Sequence, residues 1–212
     1  MKINEWCKEV HEVAVAHGWW ETEVDPYTAA ALMHSELSEA LEEYRNGNAL
    51  IYTPCMTWGD GRECTKDKCE DWDNGICNLT CLMPKPEGIA IELADCAIRI
   101  MDYLGAQDFD VETFDDDPDD AFDSEIEDVA ENNVYGLQGM KFCELICEIH
   151  RTISLYSRDC MFCDFEPLVD ALSITLGFMR SLLSPETRVE DVIAMKHEYN
   201  KTRPYRHGGK VC

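Results

Sequence analysis

The sequence predicts an all-α fold in a single domain spanning residues 1–212. Three observations carry that expectation. Apolar residues recur at helical spacing from the start of the chain to Lys201, and Pro, Gly and Asn punctuate the ends of those stretches. No segment shows a convincing two-residue alternation that would mark a strand. A chain of 212 residues is long enough to bury a core, and a hydrophobic fraction of 45% excludes wholesale disorder.

The elements follow in order. Residues 4–17 form an amphipathic stretch that ends at Gly18, and 27–45 opens after Asp25-Pro26 and closes at Asn46-Gly47. A third helix, 87–104, begins after Pro86 and stops at Gly105. Helices over 139–156, 166–183 and 187–201 complete a set of about six. Two segments interrupt them. Residues 48–85 are rich in Cys, Gly, Asp and Thr and read as an irregular insertion. Residues 106–128 read as an acidic linker, with twelve Asp or Glu between Asp108 and Asp128 and no Lys or Arg.

The net charge of −25 makes nucleic acid and anionic membrane surfaces poor partners, and it favours cations. No run of about 18 apolar residues could span a bilayer, and no apolar run near Met1 could serve as a secretory signal. The chain is therefore expected in the cytoplasm. In that reducing setting its twelve cysteines divide into buried thiols and metal-ligand candidates. Cys7, Cys96, Cys143 and Cys147 lie in apolar helical contexts and are expected in the core.

The chemistry concentrates in carboxylates at i and i+3. Glu36 and Glu39 share one face of the second helix. In the third helix, Glu92, Asp95, Arg99 and Asp102 are the only polar stripe on a segment otherwise apolar nearly all round. Those groups must lie on a narrow wet face or line an internal site. Two such pairs on facing helices would make a cage of hard oxygen ligands suited to Mg²⁺ or Mn²⁺; the plainer alternative is that each pair is the solvent face of its helix.

Glu36-x-x-Glu39, Glu92-x-x-Asp95, the Gly18-Trp19-Trp20 frame before them and the run from Lys196 to Lys210 together resemble the MazG-like all-α nucleoside triphosphate pyrophosphohydrolases. The likeness covers roughly residues 3–47, 85–105 and 187–210. It implies a helical bundle that hydrolyses a ribo- or deoxyribonucleoside triphosphate to monophosphate and pyrophosphate by metal-activated attack of water on the α-phosphate. Glu36, Glu39, Glu92 and Asp95 are then the catalytic metal ligands, one of them also drawing a proton from the water. Lys196 and Asn200, at i and i+4, could grip the pyrophosphate. Arg203 and Arg206 could do the same, or merely pair with the acidic surface. Trp19 and Trp20 could stack on the base, or belong to the core.

Two departures from the family pattern stand out. Glu39 and Glu92 are fifty-three positions apart, and the intervening insertion carries Cys55, Cys64, Cys69, Cys77 and Cys81. Four of these thiolates around Zn²⁺ would staple it, with free thiols and disulfides as alternatives. Cys160 and Cys163 form a Cys-x-x-Cys pair that could contribute. Residues 137–184 also align with the first carboxylate hairpin, matching His150 to His34, Ser154 to Ser38 and Asp170 to Asp95, while Thr152, Leu155 and Pro167 replace the other ligands. This suggests a degenerate second hairpin completing a bundle within one chain, so a pseudo-dimeric monomer stands beside a homodimer. A non-catalytic acidic protein that mimics DNA for a basic partner, and a metal-buffering protein, are the competing functions.

Overall fold

The helical spacing becomes seven α-helices in a computed structural model that describes residues 1–54, 85–111, 125–159 and 164–206, and the backbone of 72–73 and 76–77. They are α1 (Ile3–Ala16), α2 (Pro26–Arg45), α3 (Ile89–Ala106), α4 (Ile126–Val134), α5 (Phe142–Asp159), α6 (Glu166–Leu182) and α7 (Val189–Lys201). A single 3-10 turn, Tyr135–Leu137, follows α4. The insertion contributes one short antiparallel pair, β1 (Trp72–Asp73) with β2 (Ile76–Cys77). The fold is all-α, and among the described residues no helix is long and apolar enough to cross a membrane.

α3 is the central element. Fourteen of its residues are buried, and it packs against α1, α2, α6 and α7. Burial on every side explains why its sequence is apolar nearly all round. α2 packs on α3 through Ala29, Ala30, Met33, Leu37 and Ala40, the i, i+3, i+4 stripe of an amphipathic helix. The second hairpin, α5 with α6, lies against the first: α2 meets α5, and α3 meets α6. Tyr44 near the end of α2 stacks on Phe142 at the start of α5, so these two helices run antiparallel. At their middle His34 Nδ1 lies 2.8 Å from His150 Nδ1. Positions matched by the internal alignment thus meet each other, as residues beside a two-fold axis do.

The acidic linker is shorter at both ends than its charge suggests. Val111 is buried, and its N–H donates to Asn4 Oδ1 at 3.0 Å. Glu125 forms a β-bridge with Lys2, and α4 begins at Ile126. The reason is a compact apolar stripe, Ile126, Val129 and Ala130, that packs into the core and overrides the acidity around it. Two of the cysteines assigned to the core are not there: Cys7 and Cys96 are buried, but Cys143 and Cys147 are exposed. α5 buries Ile146, Ile149 and Ile153, and the two thiols, at i and i+4, point off that stripe. Cys55, Cys64, Cys69, Cys81, Cys160 and Cys163 lie outside the described residues, and of Cys77 only the backbone is described.

Candidate functional site

The carboxylates are brought together by the way the insertion is closed. α2 starts on a full N-cap, with Asp25 Oδ1 accepting from the N–H groups of Tyr27 and Thr28 at 3.0 and 3.1 Å and Pro26 in the first turn. Beyond its far end the chain turns, and Tyr52 and Glu87 exchange two backbone hydrogen bonds of 2.9 Å. Gly88 then enters α3 at φ 118°, where a Cβ would sit 2.6 Å from the Leu50 carbonyl oxygen. Only glycine fits that conformation and that approach. With both ends of the insertion pinned, α3 returns beside α2 and the fifty-three positions between Glu39 and Glu92 vanish in space.

Oxygen atoms of Glu36, Glu39 and Glu92 lie within 4.8 Å of one another. Glu36 and Glu92 are buried, while Glu39 faces solvent. They line a cavity of about 160 Å³ shared with Trp19, Lys85, Asp95, Arg99, Lys196 and Arg203. Two smaller cavities of about 50 Å³ adjoin it, and Trp19 and Arg99 line all three.

Of the four carboxylates expected to hold the metal together, Asp95 stands apart from the other three. Lys196, 1% exposed, places its ammonium 3.2 Å from Asp95 Oδ2 and 3.5 Å from Glu92 Oε2, and Asn200 Nδ2 donates to Asp95 Oδ1 at 3.1 Å. A carboxylate so matched by a cation has less need of a metal. Arg99, one turn along α3, donates from Nε to Glu36 Oε1 at 3.1 Å.

The electrostatics separate these groups. Burial, with Asp95 adding repulsion, pushes the Glu36 carboxyl up to about 7 despite Arg99. Burial pushes Glu92 up to about 8, Lys196 opposing and Asp95 adding to the rise. Burial also works against ionised Asp95, but Lys196, Arg99 and Asn200 outweigh it and hold this carboxyl below the usual range. Lys196 is raised in turn, since its carboxylate neighbours overcome the desolvation that would lower it. Glu36 and Glu92 are therefore acids whose local positive charge only partly offsets the cost of burying them ionised. A divalent cation among the three oxygens would supply the rest.

The remaining expected residues divide. Arg203 lines both the carboxylate cavity and a neighbouring one, and has no ion-pair partner among the described residues. Arg206 does not line the carboxylate cavity; its side chain is committed to the Gly18 carbonyl and to Glu21. Trp19 lines all three cavities; Trp20 lines one of the smaller two, and its Nε1 donates to Asp102 Oδ1 at 2.9 Å beside Tyr103. Sequence reasoning missed the roles of Arg99, Asp102, Lys85 and His11. His11 Nδ1 lies 2.9 Å from the same Asp102 oxygen. The signal for Arg99 and Asp102 was present, since both continue the polar stripe of α3; nothing local marked His11 or Lys85.

In comparisons with known proteins, no family model, no curated protein and no solved structure matches the chain.

Proposed function

We propose that this protein is a nucleoside triphosphate pyrophosphohydrolase of the MazG-like type, dependent on Mg²⁺ or Mn²⁺. The observation that carries the reading is the convergence of Glu36, Glu39 and Glu92 from two helices, two of them buried, on a cavity that Lys85, Arg99, Lys196 and Arg203 also line. All-oxygen donors suit a hard divalent ion rather than zinc. Such an ion lowers the pKa of its water and offsets charge developing on the phosphoryl oxygens.

The chain's own residues divide the remaining work. Glu36, Glu39 and Glu92 would hold the ion. Arg203 offers positive charge to a polyphosphate that the −25 protein otherwise repels, while Lys196, expected to grip the pyrophosphate, is buried and paired with Asp95 and Glu92. Asn200 keeps Asp95 oriented toward Lys196. Trp19 presents an aromatic wall continuous from this cavity into the two beside it, suited to a nucleobase next to the triphosphate.

The test is pyrophosphate release from a panel of ribo- and deoxyribonucleoside triphosphates with Mg²⁺, using wild type and Glu92→Gln. Release that Glu92→Gln abolishes supports the reading. No turnover of any nucleotide, or turnover indifferent to the substitution, favours a non-catalytic acidic interaction protein instead.

A further inference from the structure

After α7, residues 202–206 run as a short strap from the carboxylate cavity, which Arg203 lines, to the turn that carries both tryptophans. That turn closes α1. Gly18 (φ 81°) sits in the left-handed region, its N–H bonds the Val15 carbonyl at 3.0 Å, and the Trp19 N–H bonds the Ala14 carbonyl at 3.1 Å. This is a Schellman ending, and it projects Trp19 immediately beyond the helix.

The strap grips this turn at several points. The Arg206 N–H donates to the His17 carbonyl at 3.0 Å, and Arg206 Nε donates to the Gly18 carbonyl at 3.0 Å. The Arg206 guanidinium pairs with Glu21 at 3.0 Å, and the Tyr205 hydroxyl donates to the same carboxylate. The Tyr205 ring covers Gly18 so closely that a Cβ there would lie 2.2 Å from a ring carbon. Arg206 itself takes φ 44°, in the left-handed region that non-glycine residues seldom adopt. Three residues earlier on the strap, Arg203 lines the carboxylate cavity.

We infer that Arg206, with Glu21 and Tyr205, is a positioning latch: it holds the Trp19 turn against the cavity and so tunes affinity for the nucleoside part of the substrate, without touching the triphosphate. The strap ties Arg203 to Trp19, both of which line the carboxylate cavity. The inference rests on the nucleotide reading above.

The measurement compares Arg206→Ala, Arg206→Lys, Glu21→Gln and the Arg206→Ala/Glu21→Gln pair. Removing an ion pair and carbonyl hydrogen bond of this exposure should raise KM about fivefold to tenfold and leave kcat within about twofold. Glu21→Gln should do the same more weakly, the double substitution should be no worse than Arg206→Ala alone, and lysine should restore part of the loss. Inhibition by pyrophosphate, which has no base, should be unchanged in all four. Pyrophosphate binding weakened in step with KM would instead make Arg206 a phosphate ligand and overturn the latch; so would Glu21→Gln without effect. Acrylamide quenching of tryptophan fluorescence, with and without Trp19→Phe, reads the latch without any turnover. Arg206→Ala should expose Trp19, and unchanged quenching overturns the latch. If the wild type turns over no nucleotide while Arg206→Ala still exposes Trp19, the nucleotide reading falls and the strap is a structural clasp, so the two failures are distinguishable.

Discussion

The two helical hairpins share a frame and differ in what they bury. In α2 the Ser38 hydroxyl donates to the His34 carbonyl at 2.8 Å, and in α5 the Ser154 hydroxyl donates to the His150 carbonyl at 2.7 Å, the same bond at aligned positions. Yet where α2 buries Glu36, α5 buries Thr152, whose hydroxyl is satisfied by the Glu148 carbonyl at 2.9 Å. Where α3 buries Glu92 and Asp95, α6 places half-buried Pro167 and exposed Asp170. Buried acids of the first hairpin are met by Arg99 of α3 and Lys196 of α7, with Arg203 lining the same cavity, whereas Arg151 of the second pairs with Glu148 on the exposed side of α5. Buried carboxylates are expensive, and the molecule keeps them only where a cavity and counter-charges surround them. The second hairpin supplies packing at lower cost. The contrast separates residues kept for chemistry from residues kept for the fold.

The contrast breaks most sharply on activity. Glu92→Gln should lower kcat for pyrophosphate release by about 10²–10³-fold, the scale of losing one aligned charge-stabilising group. The same substitution should raise the melting temperature, because it removes a buried acid short of positive charge. Activity lost together with stability would place Glu92 in the fold rather than in the site.

Next comes the cation that matches the acids. Lys196→Met leaves Asp95 and Glu92 buried without their ammonium and should destabilise the chain by about 3–5 kcal/mol in urea unfolding. Thr152→Glu asks the reverse question in the second hairpin: a carboxylate buried there, without an Arg99 or Lys196, should cost about 2–4 kcal/mol and bind no Mg²⁺. A Thr152→Glu protein as stable as wild type would mean that the hairpins differ less than their charges imply.

A smaller effect should appear with pH. The Glu36 and Glu92 carboxyls start from 4.5 in the unfolded chain and reach about 7 and about 8 in the fold. Raised acids bind extra protons in the folded state, so their contribution is fully present below about 4.5 and is lost as pH rises through 7 and 8. In EDTA, thermal stability should fall across that window, and Glu36→Gln with Glu92→Gln should flatten the fall. Mg²⁺ should restore several degrees at pH 8 and almost none at pH 5. The smallest effect belongs to Asp170→Asn, which should change stability by no more than about 0.5 kcal/mol, against a clear loss for Asp95→Asn.

Much of this was legible beforehand because it is local. Helix limits follow from Asp25-Pro26, Gly18, Asn46 and the 3.6-residue spacing, and the structure shifts the expected boundaries by three residues at most. α4 was obscured because acid dominates its composition, while the three residues that decide its burial, Ile126, Val129 and Ala130, are few. The pairs Glu36 with Glu39 and Glu92 with Asp95 were legible because i, i+3 spacing fixes a shared face on each helix. The partition that withdraws Asp95 to Lys196 and Asn200 was not, since it depends on how α7 docks across α3.

By itself, then, the sequence determined the all-α class, the position of nearly every described helix, and which carboxylates could meet, because periodicity and capping act within one turn of chain. Only the tertiary structure decided which acids keep a cation, that Cys143 and Cys147 face outward, and that Arg206 reaches back to the Trp19 turn rather than into the cavity. Those outcomes turn on which helix lies beside which and at what depth, and the energy of the buried Asp95 charge is set by Lys196 and Asn200, each a hundred or more residues away in the chain.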